Sequence, residues 1–159
     1  MAEPPELVAM EPEVQGSLAA DLFNYCWNLI EKEDRTERET DLMIDAAHAS
    51  RFFWEAVGEP VHHARGEWQI SRAYAVAHRP EPALHHARRC LAICETHGIG
   101  AFDLAYAYEA LGRAYVLAGD RPEALRSVAQ ARAAADRIDD EEDRELLLAD
   151  VADVGDSIA

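Results

Sequence analysis

The chain has 159 residues, enough for one domain with a real core, and its 31 acidic against 15 basic residues give a net charge of -16. A field of that sign opposes unassisted binding to nucleic acid or to an anionic membrane. No positively charged leader precedes an apolar run and no apolar stretch is long enough to span a bilayer, so the expected location is the cytoplasm, where Cys26, Cys90 and Cys94, which lack metal-finger spacing, stay reduced.

Met1 to Glu13 is rich in Pro and Glu and reads as a flexible acidic segment ahead of a single domain over 14–156. A first helix is expected from about Val14 to Glu33, with Leu18, Leu22, Cys26, Leu29 and Ile30 toward the core and Tyr25 and Trp27 at its edges. After the charged turn Glu33–Glu37, a second helix ends near Val57–Gly58 and presents Met43, Ala47, Ser50, Phe53, Trp54 and Val57. The rings of Phe23, Tyr25, Trp27, Phe52, Phe53 and Trp54 exceed what one small hairpin buries alone, which suits the end of an array or a homodimer contact. The third helix runs from about Val61 to His78, and Arg79-Pro80-Glu81-Pro82 turns the chain into a fourth that reaches about His97. Leu104, Tyr108, Leu111, Tyr115 and Ala118 share one side of a fifth helix. Gly119-Asp120-Arg121-Pro122 breaks it, and Leu125, Val128, Ala131 and Ala135 resume the period in a sixth, capped by Asp120 with Pro122 in its first turn. A last helix over 141–154 carries Leu147, Val151 and Val154 on one side, and the acids Asp139–Asp143 favour its N-terminus through the helix dipole. The reading is all-α, with about seven helices.

An offset recurs. Tyr74, Ala83 and Cys90 precede Tyr115, Ala124 and Ala131 by 41 residues each, and Ile70-Ser71 precede Leu111-Gly112 by the same distance. The later copy resembles the tetratricopeptide repeat, a helix-turn-helix unit of about 34 residues with the pattern W-x2-L-G-x2-Y…A-x3-F…A. Leu111-Gly112, Tyr115, Ala124 and Ala131 match it, Tyr108 stands for the Trp and Val128 for the Phe, and Asp136 replaces the usual closing proline. The longer period implies longer helices or an enlarged connection around Thr96–Gly100, as in the longer repeats of kinesin light chain relatives. The resemblance covers 64 to about 138, in units 64–97 and 105–138 with 141–154 as a capping helix. It implies antiparallel hairpins in a short right-handed superhelical array, against the competing reading of an ordinary helical bundle. Gly112 is expected to admit a close approach at Ala124, and Ser71 one at Ala83.

In that family the first helix of each hairpin lines a concave groove through its second, fifth, ninth, twelfth and thirteenth positions. Carried over, these are Arg65, Trp68, Arg72, Ala75 and Val76, then Tyr106, Glu109, Arg113, Val116 and Leu117. The resemblance thus implies a ligand-binding groove built on Arg65, Trp68, Arg72, Tyr106, Glu109 and Arg113, in which guanidiniums grip carboxylates or phosphates and the rings supply anchor area. The function expected is a non-enzymatic module that binds a protein segment, an acidic peptide or a free C-terminus. A homodimeric scaffold is the alternative, and the competing account of the groove makes Arg72, Glu109 and Arg113 an internal ion-pair lattice with Trp68 in the core.

Nucleotide, metalloprotease and serine-hydrolase signatures are missing, and no cofactor, metal or catalytic residue is assigned. An enzyme reading rests on His48, His62 and His63, with a carboxylate such as Asp45. Neighbouring helical residues diverge by about 100°, however, so His62 and His63 do not readily face one ion. Residues 61–97 hold 3 acids, 5 bases and six of the seven histidines, a locally basic zone in an acidic chain. Within it, His85-His86 and Arg88-Arg89 are expected on the outer side, as a solvated face or an acidic docking patch.

Overall fold

The computed structural model describes residues 10–158. They form seven helices and no strand: α1 (Pro12–Ile30), α2 (Glu37–Val57), α3 (Pro60–Val76), α4 (Pro80–His97), α5 (Ala101–Ala118), α6 (Arg121–Ala135) and α7 (Glu141–Asp156). Residues 1–9 of the expected acidic segment lie outside the described residues. The end of that segment is already helical, because Pro12 suits a first turn whose N–H needs no partner. At the other end α1 stops at Ile30 rather than Glu33, since Arg35 folds back and its guanidinium donates to the carbonyls of Leu29 and Ile30, both at 2.9 Å, and to that of Lys32. Thr36 and Glu39 close a capping box that starts α2, and the Asp120 and Asp140 carboxylates cap α6 and α7. No helix among the described residues is long and apolar enough to cross a membrane.

Helices pair as α1–α2, α3–α4 and α5–α6, and α7 packs on both members of the last pair. α3 also packs on α1 and α5, whereas the backbones of α2, α4 and α6 stay apart from one another. One layer therefore holds α1, α3, α5 and α7, and the other holds α2, α4 and α6. The 41-residue offset persists in three dimensions. Ala64 and Ala105, Ala73 and Ala114, Ala83 and Ala124, Cys90 and Ala131, and Cys94 and Ala135 are all fully buried. The turns repeat as well: His78 and Arg79 N–H donate to the Ala75 and Tyr74 carbonyls at 3.0 and 2.9 Å, and Gly119 and Asp120 N–H to those of Val116 and Tyr115 at 3.1 and 3.0 Å. Both turns place a left-handed residue at the same point, Gly119 with φ 75° and, less comfortably, His78 with φ 57°.

Ser71 meets Ala83 as expected, its hydroxyl donating to the Ala83 carbonyl at 2.8 Å. Gly112 admits the facing helix α6 at Ser127 and Val128, one turn beyond Ala124, and α7 as well. A Cβ built on it would lie 3.2 Å from Val154 Cγ1 of α7 and 3.5 Å from Ser127 Cβ, so α7 occupies the space that its missing side chain leaves. Leu147, Val151 and Val154 are buried there with Val128, Ala131 and Ala135 of α6. The three cysteines are free and buried, and burial pushes the Cys26 thiol up to about 12.

Candidate ligand-binding cavity

The four-helix layer carries a cavity of about 580 Å³. Residues three, four and seven apart share a helix face, so α3 supplies Arg65, Trp68 and Arg72 and α5 supplies Phe102, Asp103, Tyr106 and Glu109. Phe23, Trp27 and Ile30 of α1 with Glu31 just past its C-terminus form one wall, and Leu146 and Asp150 of α7 another. Five of the six expected groove residues line this one space. Arg113, the sixth, is held through Glu109, which accepts from its Nε at 2.8 Å. Trp68 serves both wall and core: it is partly exposed, packs against the buried clusters of Ala64, Cys90 and Cys94 and of Ala87, Ala110 and Leu111, and is tilted against Trp27 at 5.4 Å between ring centroids and edge-on to Tyr106 at 5.5 Å. The walls contributed by α1 and α7 were outside the expectation, which used only the first helices of the two recognised repeats.

The charges in and behind the cavity are unequally satisfied. Arg65 grips Asp103 with both prongs, at 2.7 and 3.1 Å, and that bond raises the guanidinium's pKa. Glu109, 2% exposed, takes Arg113 on one oxygen and the Trp68 indole N–H at 3.5 Å on the other. The expected ion-pair lattice of Arg72, Glu109 and Arg113 is therefore formed, and Arg65 pairs separately with Asp103. The loosest member of the lattice is Arg72. Its side chain is 23% exposed, its nearest approach to a carboxylate is 3.8 Å from Glu109, beyond hydrogen-bonding reach, and its Nε has no partner among the described residues. Burial and then the Arg113 charge lower its pKa, against the opposing pull of Glu109 and Asp150. A desolvated guanidinium without aligned acceptors is costly, so Arg72 is the least satisfied charge of the lattice. On α7, Asp150 accepts the Tyr106 hydroxyl at 2.8 Å, while burial and that bond raise the phenol's pKa.

On the opposite layer the α2 and α4 backbones stay apart, and the furrow between them, about 500 Å³, is floored by Glu67 and Ile70 of α3 and bridged by His48 and His86. Glu67 is 1% exposed and accepts from His86 Nδ1 at 2.6 Å, Arg89 Nε at 3.0 Å and Arg51 Nε at 3.3 Å. Burial raises its pKa, but the His86 bond and the Arg89 charge outweigh that and hold it below the usual range. Gly66 makes the arrangement possible, since a Cβ there would lie 2.7 Å from Arg51 Cδ. His86 therefore does not belong to a solvated outer face, and the expectation for that pair of histidines holds only for exposed His85.

The histidines of the enzyme reading are dispersed. His48 Nε2 lies 2.9 Å from the Tyr74 hydroxyl, with its ring 5.3 Å from that of His86. Burial, then His86, lowers the His48 pKa. His62 stacks on Trp54 at 4.3 Å and accepts the Glu59 N–H, while His63 Nε2 lies 2.9 Å from the Trp54 carbonyl oxygen. Both thus secure the α2–α3 corner. No group of three or more His, Cys, Asp or Glu placed to hold a metal occurs among the described residues. The Glu67 centre escaped the sequence reading, although one signal was available: the residue 41 positions on is Tyr108, so packing of the repeat does not itself demand a carboxylate there.

Comparison of the chain with family models, with curated proteins and with solved structures returns no match.

Proposed function

We propose that this chain is a non-enzymatic binding module of tetratricopeptide-like build that takes a protein or peptide segment into the cavity of the α1, α3, α5 and α7 layer. The observation that carries the reading is Arg72, a three-quarters-buried guanidinium in an aromatic-walled space, without a partner for Nε and without a carboxylate in hydrogen-bonding range. An anionic group of the ligand completes it, and Trp68 and Tyr106 supply rigid anchor area beside it. The cavity volume lies within the range of about 300–1,000 Å³ typical of ligand sites. The recurrence of buried positions and turn bonds at 41 residues supports the tetratricopeptide-like build.

The test is selection from a displayed random dodecapeptide library by the wild-type protein, followed by titration calorimetry of the recovered peptides. Binding should be lost on Arg72→Gln and weakened on Trp68→Ala, and retained on Arg88→Ala in the other layer. Equal losses for all three, or undiminished binding by Arg72→Gln, overturn the reading.

A further inference from the structure

The charges around the cavity also constrain the ligand, given the peptide-binding reading above. Of the groups that line it, Arg65 is neutralised by Asp103 and Glu109 is taken by Arg113 from behind. Arg72 shares the Glu109 carboxylate only through an ion pair at 3.8 Å, and its Nε keeps hydrogen-bonding capacity to spare. Two carboxylates remain as well: Asp150, whose bond is to the neutral Tyr106 hydroxyl, and Glu31, exposed and without an ion-pair partner among the described residues. Glu31 lies one helical turn beyond Trp27, its N–H donating to the Trp27 carbonyl at 3.0 Å, so carboxylate and indole share a face of α1 directed at the same space. An indole face next to a carboxylate is a receptor for an ammonium or guanidinium group.

We infer that the cavity takes a dipolar polypeptide segment: one acidic group on Arg72, an apolar or aromatic side chain against Trp68 and Tyr106, and a Lys or Arg side chain between the Trp27 ring and the Glu31 carboxylate. A polyacidic segment is disfavoured. Its second negative charge would enter a cavity that Glu31 and Asp150 line, on a chain of net charge -16.

The peptides recovered from the library by wild-type protein should carry a basic and an acidic residue flanking an apolar one. For such a peptide, calorimetry should show about a two- to five-fold loss of affinity on Glu31→Gln, the upper range expected of an exposed charge pair. Replacing the peptide's basic residue by norleucine, which forfeits the contact with the Trp27 ring as well, should cost more and abolish the effect of Glu31→Gln. Glu31 is exposed, so its replacement leaves the fold intact. Recovered peptides that carry acids alone, or affinity unchanged or improved by Glu31→Gln, overturn this inference while Arg72-dependent binding still upholds the peptide site. A library that yields no Arg72-dependent peptide overturns the peptide site itself.

Discussion

Trp68 and Glu109 stand one repeat period apart in the chain and meet in the cavity, the indole Nε1–H donating to Oε2 at 3.5 Å. Equivalent positions of successive units thus face each other, and one side chain both walls the site and helps hold the carboxylate that fixes Arg113. Removing the indole removes anchor area and frees one oxygen of Glu109 to compete for Arg72. Trp68→Ala is therefore expected to weaken a cognate peptide by about 2 kcal/mol or more, read by calorimetry, with helical circular dichroism retained.

The contact between Gly112 and Val154 predicts a stability effect that depends on α7. Gly112→Leu forces a side chain into space where even a Cβ comes within 3.2 Å of Val154 Cγ1, at an expected cost of about 1–3 kcal/mol in urea unfolding. Val154→Ala in the Leu background should recover part of that loss, whereas in the wild type it should only destabilise. A loss that Val154→Ala leaves untouched would place the crowding elsewhere in α6.

Glu67 gathers two arginines and a histidine from α2 and α4 onto α3. Taking away its charge leaves those donors crowded around a neutral side chain, so Glu67→Gln should cost about 3–5 kcal/mol, the range for breaking a buried pair from one side. Glu67→Tyr, which copies Tyr108 of the next unit, should do no better, since Arg51, His86 and Arg89 remain. Chemical denaturation of the two variants checks both statements.

Acid should loosen this same region in two stages. The folded state lowers the His48 pKa from 6.5, so the stabilisation from keeping that ring neutral is complete above the unfolded value and declines as pH falls below about 6.5 toward the folded one. Glu67 is lowered from 4.5, and its contribution, complete above that value, is lost as pH falls through the folded pKa. Unfolding midpoints in urea should thus fall from pH 7 to 5 and again below about 4.5. His48→Gln should flatten the first stage and leave the second. An unchanged upper stage in that variant would assign it to another histidine.

Helix number and turns were legible in the residues because both are decided locally. The 3.6-residue period of Leu104, Tyr108, Leu111 and Tyr115, the break at Gly119–Pro122 and the Asp120 cap involve neighbours within a few positions, and of the groove positions implied by the repeat resemblance Arg65, Trp68, Arg72, Tyr106 and Glu109 line the cavity. What the tertiary structure alone decided is pairing between distant segments. Arg65 with Asp103, Arg51 with Glu67, Val154 against Gly112 and the α1 wall of Trp27 and Glu31 join residues from separate helices. Charge counts could not foresee that Arg65 and Arg113 would hydrogen-bond to carboxylates while Arg72 would reach Glu109 only as a looser ion pair, because a few ångströms of helix displacement separate a hydrogen bond from a 3.8 Å approach.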